Sequence, residues 1–310
     1  MEIDGARVGT DHDPFFIAEA GVNHNGSLEQ AKKLIDVASD AGADAVKFQT
    51  FSTDRLVTQD AATASYQESN TGETDQYEML KRYELDRSEH ETLLDHCYER
   101  DITFLSTPFD PQSADMLADL GVSAFKIGSG DLDNHPLLAH VAEHGLPMIV
   151  STGMGTMDEV SAAYEVIRSA NPSVNVVFLH CTSSYPTAVR DVNLRAMETM
   201  AEELPAPVGY SDHTTLIDVP ALAVAAGACV LEKHFTLDST LPGPDHETSL
   251  EPDDLREAIE NVETVSAALG RGEKQPVPAE METRQIARKS IHAAVDIEPG
   301  TTLTEDDLPC

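Results

Sequence analysis

The chain has no tryptophan, only four cysteines in 310 residues, few cations and no long apolar run. Cys97, Cys181, Cys229 and Cys310 lack Cys-x-x-Cys spacing. That argues against a zinc site or a disulfide framework and for reduced thiols in a cytoplasmic protein. No uninterrupted apolar stretch approaches the roughly 20 residues of a membrane helix. The start, MEIDGARVGTDHDPFF, has neither a basic opening nor an apolar stretch behind it, so no secretory leader is expected. Twenty Lys and Arg stand against 55 Asp and Glu, a formal net charge of −35. Such a surface repels nucleic acid and anionic membranes, which excludes both as partners. The acid is spread along the chain, as on a solvated surface rather than an acidic tail. It reads as adaptation to concentrated salt, where screening relieves self-repulsion. An ordinary acidic cytoplasmic protein is the plainer alternative.

What is present is a core. Hydrophobic residues make up 41%, enough for a large folded domain. Eight short apolar runs recur: FFIAEAG (15–21), DAVKFQT (44–50), ITFLSTP (102–108), SAFKIGS (123–129), PMIVSTG (147–153), VVFLHCT (176–182), PVGYSDH (207–213) and CVLEKHF (229–235). Each suits a strand buried on both faces of a parallel sheet. Helical segments separate them; the first opens with Ser27 and Gln30 in capping-box spacing and closes at Gly42. Eight strand–helix repeats predict an α/β fold of the (β/α)8 TIM-barrel type. A doubly wound sheet is the competitor, weakened by the eightfold count and by the missing glycine fingerprint.

Residues 1–270 are read as the barrel, 271–282 as a linker rich in proline and charge, and 283–310 as a short β-rich tail. Residues 52–85 are a long polar insertion after the second strand, read as a flap over the barrel mouth.

In a barrel the chemistry sits at the C-terminal ends of the strands. Those ends carry Glu19, Lys47, Gln49, Thr107, Lys126, Ser129, Ser151, Ser183, Ser211, His213 and His234. Period-two alternation puts Lys47 with Gln49, Ser211 with His213, and Glu232 with His234 on shared faces. It sends Lys233 and Asp212 to the helix-facing side, as a structural ion pair. His213 and His234, on neighbouring strands, could hold one divalent cation with open positions, as a catalytic metal requires. Two imidazoles with nearby oxygens suit Mn2+, with Mg2+ or Co2+ as alternatives; hydrogen-bonded rim histidines are the plainer reading. Lys47 and Lys126, with Ser129, Ser151 and Ser211, form an anion-binding group for phosphate and carboxylate. Glu19 is a candidate general acid or base, against the alternative of a solvated loop acid. The histidines of NHNG and LLAHVAEHG read as surface or capping residues.

Together AEAGVNHNGS, AVKFQT, STPF, KIGSGD, STGM, LHCTSSYP, GYSDHT, EKHF and PGPDHETS resemble the sialic acid (nonulosonate) synthase family, in order, from about residue 13 onward. The resemblance implies condensation of phosphoenolpyruvate with an N-acyl hexosamine such as N-acetylmannosamine, with release of phosphate. Legionaminate- or pseudaminate-type acceptors share the same motifs. It further implies a divalent metal on His213 and His234, Lys47 on the carboxylate, and Lys126, Thr107, Ser129, Ser151 and Ser211 on the phosphate. Glu19 would handle protons with help from Asp131, and Gln49, Tyr185 and Asp245 would meet sugar hydroxyls. Ser183 stands where some members carry asparagine. The family is dimeric and ends in an antifreeze-like domain covering the partner's site; RKSIHAAVDIEPGTTLTEDDL resembles its beginning, and an incomplete domain and a weakened homodimer are expected. A barrel that binds ligand or a partner without turnover is the alternative of a different class.

The charge generates the first prediction. Molar KCl, which shortens the Debye length to about 3 Å, raises the midpoint of thermal unfolding. An equal midpoint in dilute buffer would refute salt adaptation.

Overall fold

The computed structural model describes residues 1–58, 75–270, 272–293 and 295–307. The barrel strands are β1 (Phe15–Gly21), β2 (Ala45–Thr50), β3 (Thr103–Pro108), β4 (Phe125–Ile127), β5 (Met148–Ser151), β6 (Val176–Cys181), β7 (Val208–Asp212) and β8 (Val230–His234). The helices after them are α1 (Leu28–Ala41), α2 (Arg87–Glu99), α3 (Pro111–Leu120), α4 (His135–Glu143), α5 (Met157–Ala170), α6 (Ala196–Glu203), α7 (Val219–Ala225) and α8 (Pro252–Leu269). All paired strands are parallel, in the order β3-β2-β1-β8-β7-β6-β5-β4. The terminal strands β3 and β4 lie against each other and complete the ring. This is the (β/α)8 barrel that the eightfold repeat predicts.

Strand alternation sorts the core into two layers. Outward residues such as Phe16, Val46, Phe104, Phe178, Tyr210 and Leu231 pack against the helices. Inward residues Phe15, Ile17, Ala45, Leu105, Ile149, Val177, Leu179 and Val230 fill the barrel. A small hairpin, Glu2–Ile3 paired with Ala6–Arg7, precedes β1. Its Ile3, with Val8, joins this inner layer and seals the end of the barrel opposite the strand C-termini. The apolar filling therefore stops part-way up, and polar residues occupy the upper interior.

Local signals set the element ends. The Ser27 hydroxyl accepts from the Gln30 amide and Gly42 closes α1 at φ +90°. Gln30 Oε1 has no hydrogen-bond partner, so the reciprocal half of the capping box is not formed. Strand β4 is shorter than its apolar run, because Ser129–Asp131 turns into a 3-10 helix. Cys97, Cys181 and Cys229 are buried free thiols. Among the described residues no helix is long and apolar enough to cross a membrane.

The chain divides into Met1–Leu269 and Gly270–Cys310. The second unit contains the 3-10 turns Pro278–Glu280 and Glu305–Asp307 and a helix, Met281–Ala287. Among its described residues there is no strand and no buried side chain. The β-rich character expected of this tail is therefore not seen in them. Residues 294 and 308–310 of the tail and residue 271 of the linker lie outside the described residues. So do residues 59–74 of the expected flap. The described parts of that insertion include the short helices Thr53–Leu56 and Gln76–Lys81.

Lys233 and Asp212 face the helices, as alternation requires. Lys233 Nζ donates to Asp212 Oδ2 at 2.6 Å and to the Thr214 carbonyl at 2.5 Å, with both side chains about 1% exposed. Breaking such a pair leaves one buried charge uncompensated. Asp212→Ala is expected to cost about 3–5 kcal/mol in urea unfolding, and Asp212→Leu with Lys233→Met recovers much of it. A loss below about 1 kcal/mol in the single variant would contradict a structural role.

Candidate active site

Register places the site. Across the β1–β2 ladder Glu19 stands opposite Lys47. Across β1–β8 it stands opposite His234, and across β7–β8 Ser211 stands opposite Glu232. Above the apolar layer these side chains meet at the barrel mouth and line a cavity of about 720 Å³. All fourteen predicted site residues except Asp131 line it. Asp131 lies in the 3-10 turn beyond β4, half-buried, where its carboxylate accepts from Asn134 Nδ2 at 2.9 Å. Strand alternation does not extend past the strand, so it could not place this residue.

The centre is a buried cluster of two lysines and two glutamates. Lys47 Nζ lies 2.7 Å from Glu19 Oε2 and 4.0 Å from Glu232 Oε2, and donates to Thr107 Oγ1 at 2.9 Å. Lys126 Nζ lies 3.4 Å from Glu232 Oε1 and donates to Ser151 Oγ at 2.7 Å. Ser211 Oγ donates to Glu232 Oε1 at 2.8 Å. Glu232 is the principal functional residue missing from the sequence-based set. Alternation already turned it inward; the overlooked signal was that two inward lysines demand more than one counter-charge.

The two carboxylates differ sharply. Burial pushes Glu19 up to about 8; Lys47 pulls it down, while nearby Glu232 repels its ionised form. Burial would raise Glu232 as well, but Lys126, Lys47 and the Ser211 hydroxyl outweigh it and hold it at about 2. Glu19 is thus a proton-carrying group at neutral pH and Glu232 a standing anion, the division that lets paired carboxylates take different roles. Burial lowers Lys126 despite Glu232. For Lys47 burial is outweighed by Glu19 and Glu232, which raise it.

The histidines sit beside this cluster. The rings of His213 and His234 are 5.5 Å apart, and the Tyr185 ring lies 4.3 Å from His213 and 5.9 Å from His234. His213 Nδ1 bonds the Thr182 carbonyl at 2.7 Å, which fixes the tautomer and leaves Nε2 with a free lone pair. Nδ1 of His234 is buried without a hydrogen-bond partner. Burial lowers both imidazoles, His234 strongly and with help from His213, so both are neutral. Neutral rings, one oriented by a carbonyl and one with an orphaned nitrogen, fit a divalent cation. Among the described residues no third His, Cys or carboxylate ligand shares their reach, which leaves such a centre open.

Loops complete the mouth. A Cβ on Gly21 would lie 3.2 Å from Glu19 Oε1 and 3.6 Å from both Asp245 Oδ2 and Gln49 Nε2, so these three groups converge. Burial raises Asp245 to about 6 against the pull of Lys47. The loop carrying Asp245 is tied to the β1–α1 loop. Asn23 Nδ2 donates to the Phe235 carbonyl at 2.8 Å and to Ser249 Oγ at 3.0 Å, and Asn25 Oδ1 lies 3.2 Å from His246 Nε2. His24, expected at the surface, is fully buried with Nδ1 accepting from the Gly26 amide at 3.0 Å. The polar NHNG loop folds inward over the barrel instead of outward. Opposite it, Gly153 is hemmed by Ser183 Oγ, Ser129 Oγ and Cys181 Sγ, which an added Cβ would meet at 2.3, 2.8 and 2.9 Å. Its amide donates to Ser129 Oγ at 3.0 Å.

The NeuB family profile matches residues 34–274. The chain belongs to the NeuB family. It is 47% identical over 298 residues to the N,N'-diacetyllegionaminic acid synthase of Legionella pneumophila, covering 95% of this chain and 84% of that one. It is 39% identical to the human N-acetylneuraminate-9-phosphate synthase, covering 98% and 84%. Among solved structures, the N-acetylneuraminic acid synthetase of Leptospira borgpetersenii, in complex with citrate, superposes with a TM-score of 0.83 at 35% identity, covering 92% and 95%. Glu19 precedes the matched stretch, so its place in the site rests on the geometry above.

Gly153→Ala is expected to destabilise the protein by about 1–3 kcal/mol and to displace Ser129 and Ser183 from the cavity wall. An unperturbed unfolding transition would show that this wall yields.

Proposed function

We propose that this protein is a nonulosonate synthase that condenses phosphoenolpyruvate with an N-acylated hexosamine and releases phosphate, and that its acceptor is of the diacetylated, legionaminate type. The observation that carries the reaction is the cluster of Lys47, Lys126, Glu19 and Glu232 in one cavity with His213 and His234. Two ammonium groups and several hydroxyls suit a small molecule that is both phosphate and carboxylate.

Lys126, Ser129, Ser151 and Ser211 hold the phosphate, with Thr107 beside them, and Lys47 holds the carboxylate. Gln49, Tyr185 and Asp245 face the sugar hydroxyls, and Ser183 completes that wall. His213 and His234 would hold the divalent cation, Mn2+ by preference, which when bound supplies Lewis acidity at the sugar aldehyde. The C3 methylene carbon of phosphoenolpyruvate bonds to the aldehyde carbon as the C=O π pair moves onto the aldehyde oxygen, which takes up the proton that water sheds on adding at C2. Water adds at C2, and the C2–oxygen bond to phosphate breaks. Glu19, protonated at neutral pH, gives its proton to the departing phosphate and recovers one from the water-derived hydroxyl as the ketone forms. Glu232 stays ionised and holds both lysines in place.

For the acceptor, two features support a legionaminate-type sugar over N-acetylmannosamine. Legionella's synthase is named for a diacetylated product. The cavity offers an apolar side of Leu56, Val57, Met79 and Phe109 for acetyl methyl groups. Its lining, among the described residues, carries only two lysines and no arginine, and both lysines are already engaged, which disfavours a phosphorylated sugar.

The test is phosphate release from phosphoenolpyruvate with Mn2+ in high salt. Release that requires a hexosamine, faster with a diacetamido sugar than with N-acetylmannosamine, is the expected result. Binding without release would favour a non-catalytic barrel. Glu19→Gln should lower kcat by about 10²–10⁴ with phosphoenolpyruvate binding kept. In the wild type the rate falls as pH rises through about 8, where Glu19 loses its proton; that limb vanishes in the variant.

A further inference from the structure

His140 and His144 are four residues apart on and at the end of α4, and so share one face of the helix. That face meets α3. There Asp115 Oδ1 lies 2.7 Å from His140 Nε2 and 3.1 Å from His144 Nε2. The two rings are 5.4 Å apart and nearly perpendicular, so their nitrogens aim at a common point from different directions. The ring of His144 also leans on Phe125, 5.6 Å away, and is only 24% exposed, against 33% for His140. All three donor atoms lie within 4.8 Å of one another, the only such His, Cys and carboxylate group among the described residues.

We propose that Asp115, His140 and His144 form a second metal site, on the outside of the barrel, that takes a borderline divalent cation such as Zn2+ and clamps α3 to α4. It is separate from the barrel-mouth chemistry and independent of the proposed reaction. Bonds of about 2.0–2.1 Å to a tetrahedral ion place donors about 3.3 Å apart, close to the separations found here. Two imidazoles and one carboxylate favour Zn2+, Co2+ or Ni2+ over Mg2+ or Ca2+, which take oxygen ligands. The fourth position falls to water. Ligation needs Nε2 of each imidazole free of its proton, so two hydrogen bonds to Asp115 give way to three metal bonds. Helices α3 and α4 are short, and a ligand that binds only the folded state raises stability with the logarithm of its concentration above Kd.

Equilibrium dialysis with Zn2+ on the full chain separates this site from the barrel mouth. A His213→Ala, His234→Ala chain is expected to retain one Zn2+, and adding His144→Ala should weaken that binding at least about tenfold. Co2+ in the same chain should give the visible absorption of a tetrahedral centre, and Mg2+ should not compete. In the otherwise wild-type protein, His140→Asn with His144→Asn should abolish the Zn2+-dependent rise in unfolding temperature that the external site contributes, with phosphate release unchanged. Should His144→Ala fail to fold, Asp115→Asn carries the same test. A His213→Ala, His234→Ala chain that binds no Zn2+, or one whose binding survives loss of Asp115 or His144, would mean that the trio is only a hydrogen-bonded surface contact.

Discussion

Two lysines and two glutamates buried above an apolar floor are the constraint on which the site depends. Neither Lys47 nor Lys126 could stay ionised in a barrel interior alone, because taking an ammonium out of water is far too costly without partners. Glu19 and Glu232 are those partners, and each comes from a strand whose lower half is apolar. Lys47 reaches both carboxylates, and Lys126 reaches Glu232 from the other side. Ser151, Thr107 and Ser211 then satisfy donors and acceptors that the ion pairs leave over. Removing any one member would strand the others, so the cluster fixes the identity of residues on seven strands at once.

The barrel makes this possible by filling its lower interior completely. The hairpin before β1 seals the far end with Ile3 and Val8, and Gly209 leaves room for Leu179 and the Val230 backbone, which an added Cβ would strike. With water excluded from below, access is from the mouth, where Asn23, Asn25 and His246 bind two loops together and hold Asp245 over the charges. The site is therefore rigid at its base and shaped by loops at its rim, the arrangement that lets one barrel serve different sugars.

Much of this was legible in the sequence because strand alternation is a strict rule. Apolar runs marked all eight strands, and parity turned Lys47, Gln49, Ser211, His213 and His234 inward and sent Lys233 and Asp212 outward to their ion pair. The misses fall where the rule gives out or was not followed through. Asp131 lies past the end of β4, in a turn with its own geometry. His24 belongs to a polar loop that resembles a surface turn, and only tertiary packing buries it. Glu232 is turned inward by the same parity, and charge balance against two inward lysines is the signal that marks it. The tail shows the converse: alternation there suggests a strand, but among its described residues no strand forms, since a strand needs a partner to receive its hydrogen bonds.

The uneven carboxylates also explain how a strongly acidic protein can take up an anion. With Glu19 protonated, the cluster holds two ammonium groups against one carboxylate, a net positive charge at the floor of a chain carrying −35 overall. At low ionic strength the surface would repel phosphoenolpyruvate long before it reached the mouth. Concentrated salt screens surface charge over a few ångströms but hardly reaches a buried pair. Under such screening the repulsion would fall where it opposes an anion and the buried attraction would be kept. An acidic exterior and a cationic floor are compatible because the floor is buried, and the apolar layer beneath it closes the barrel from the other end.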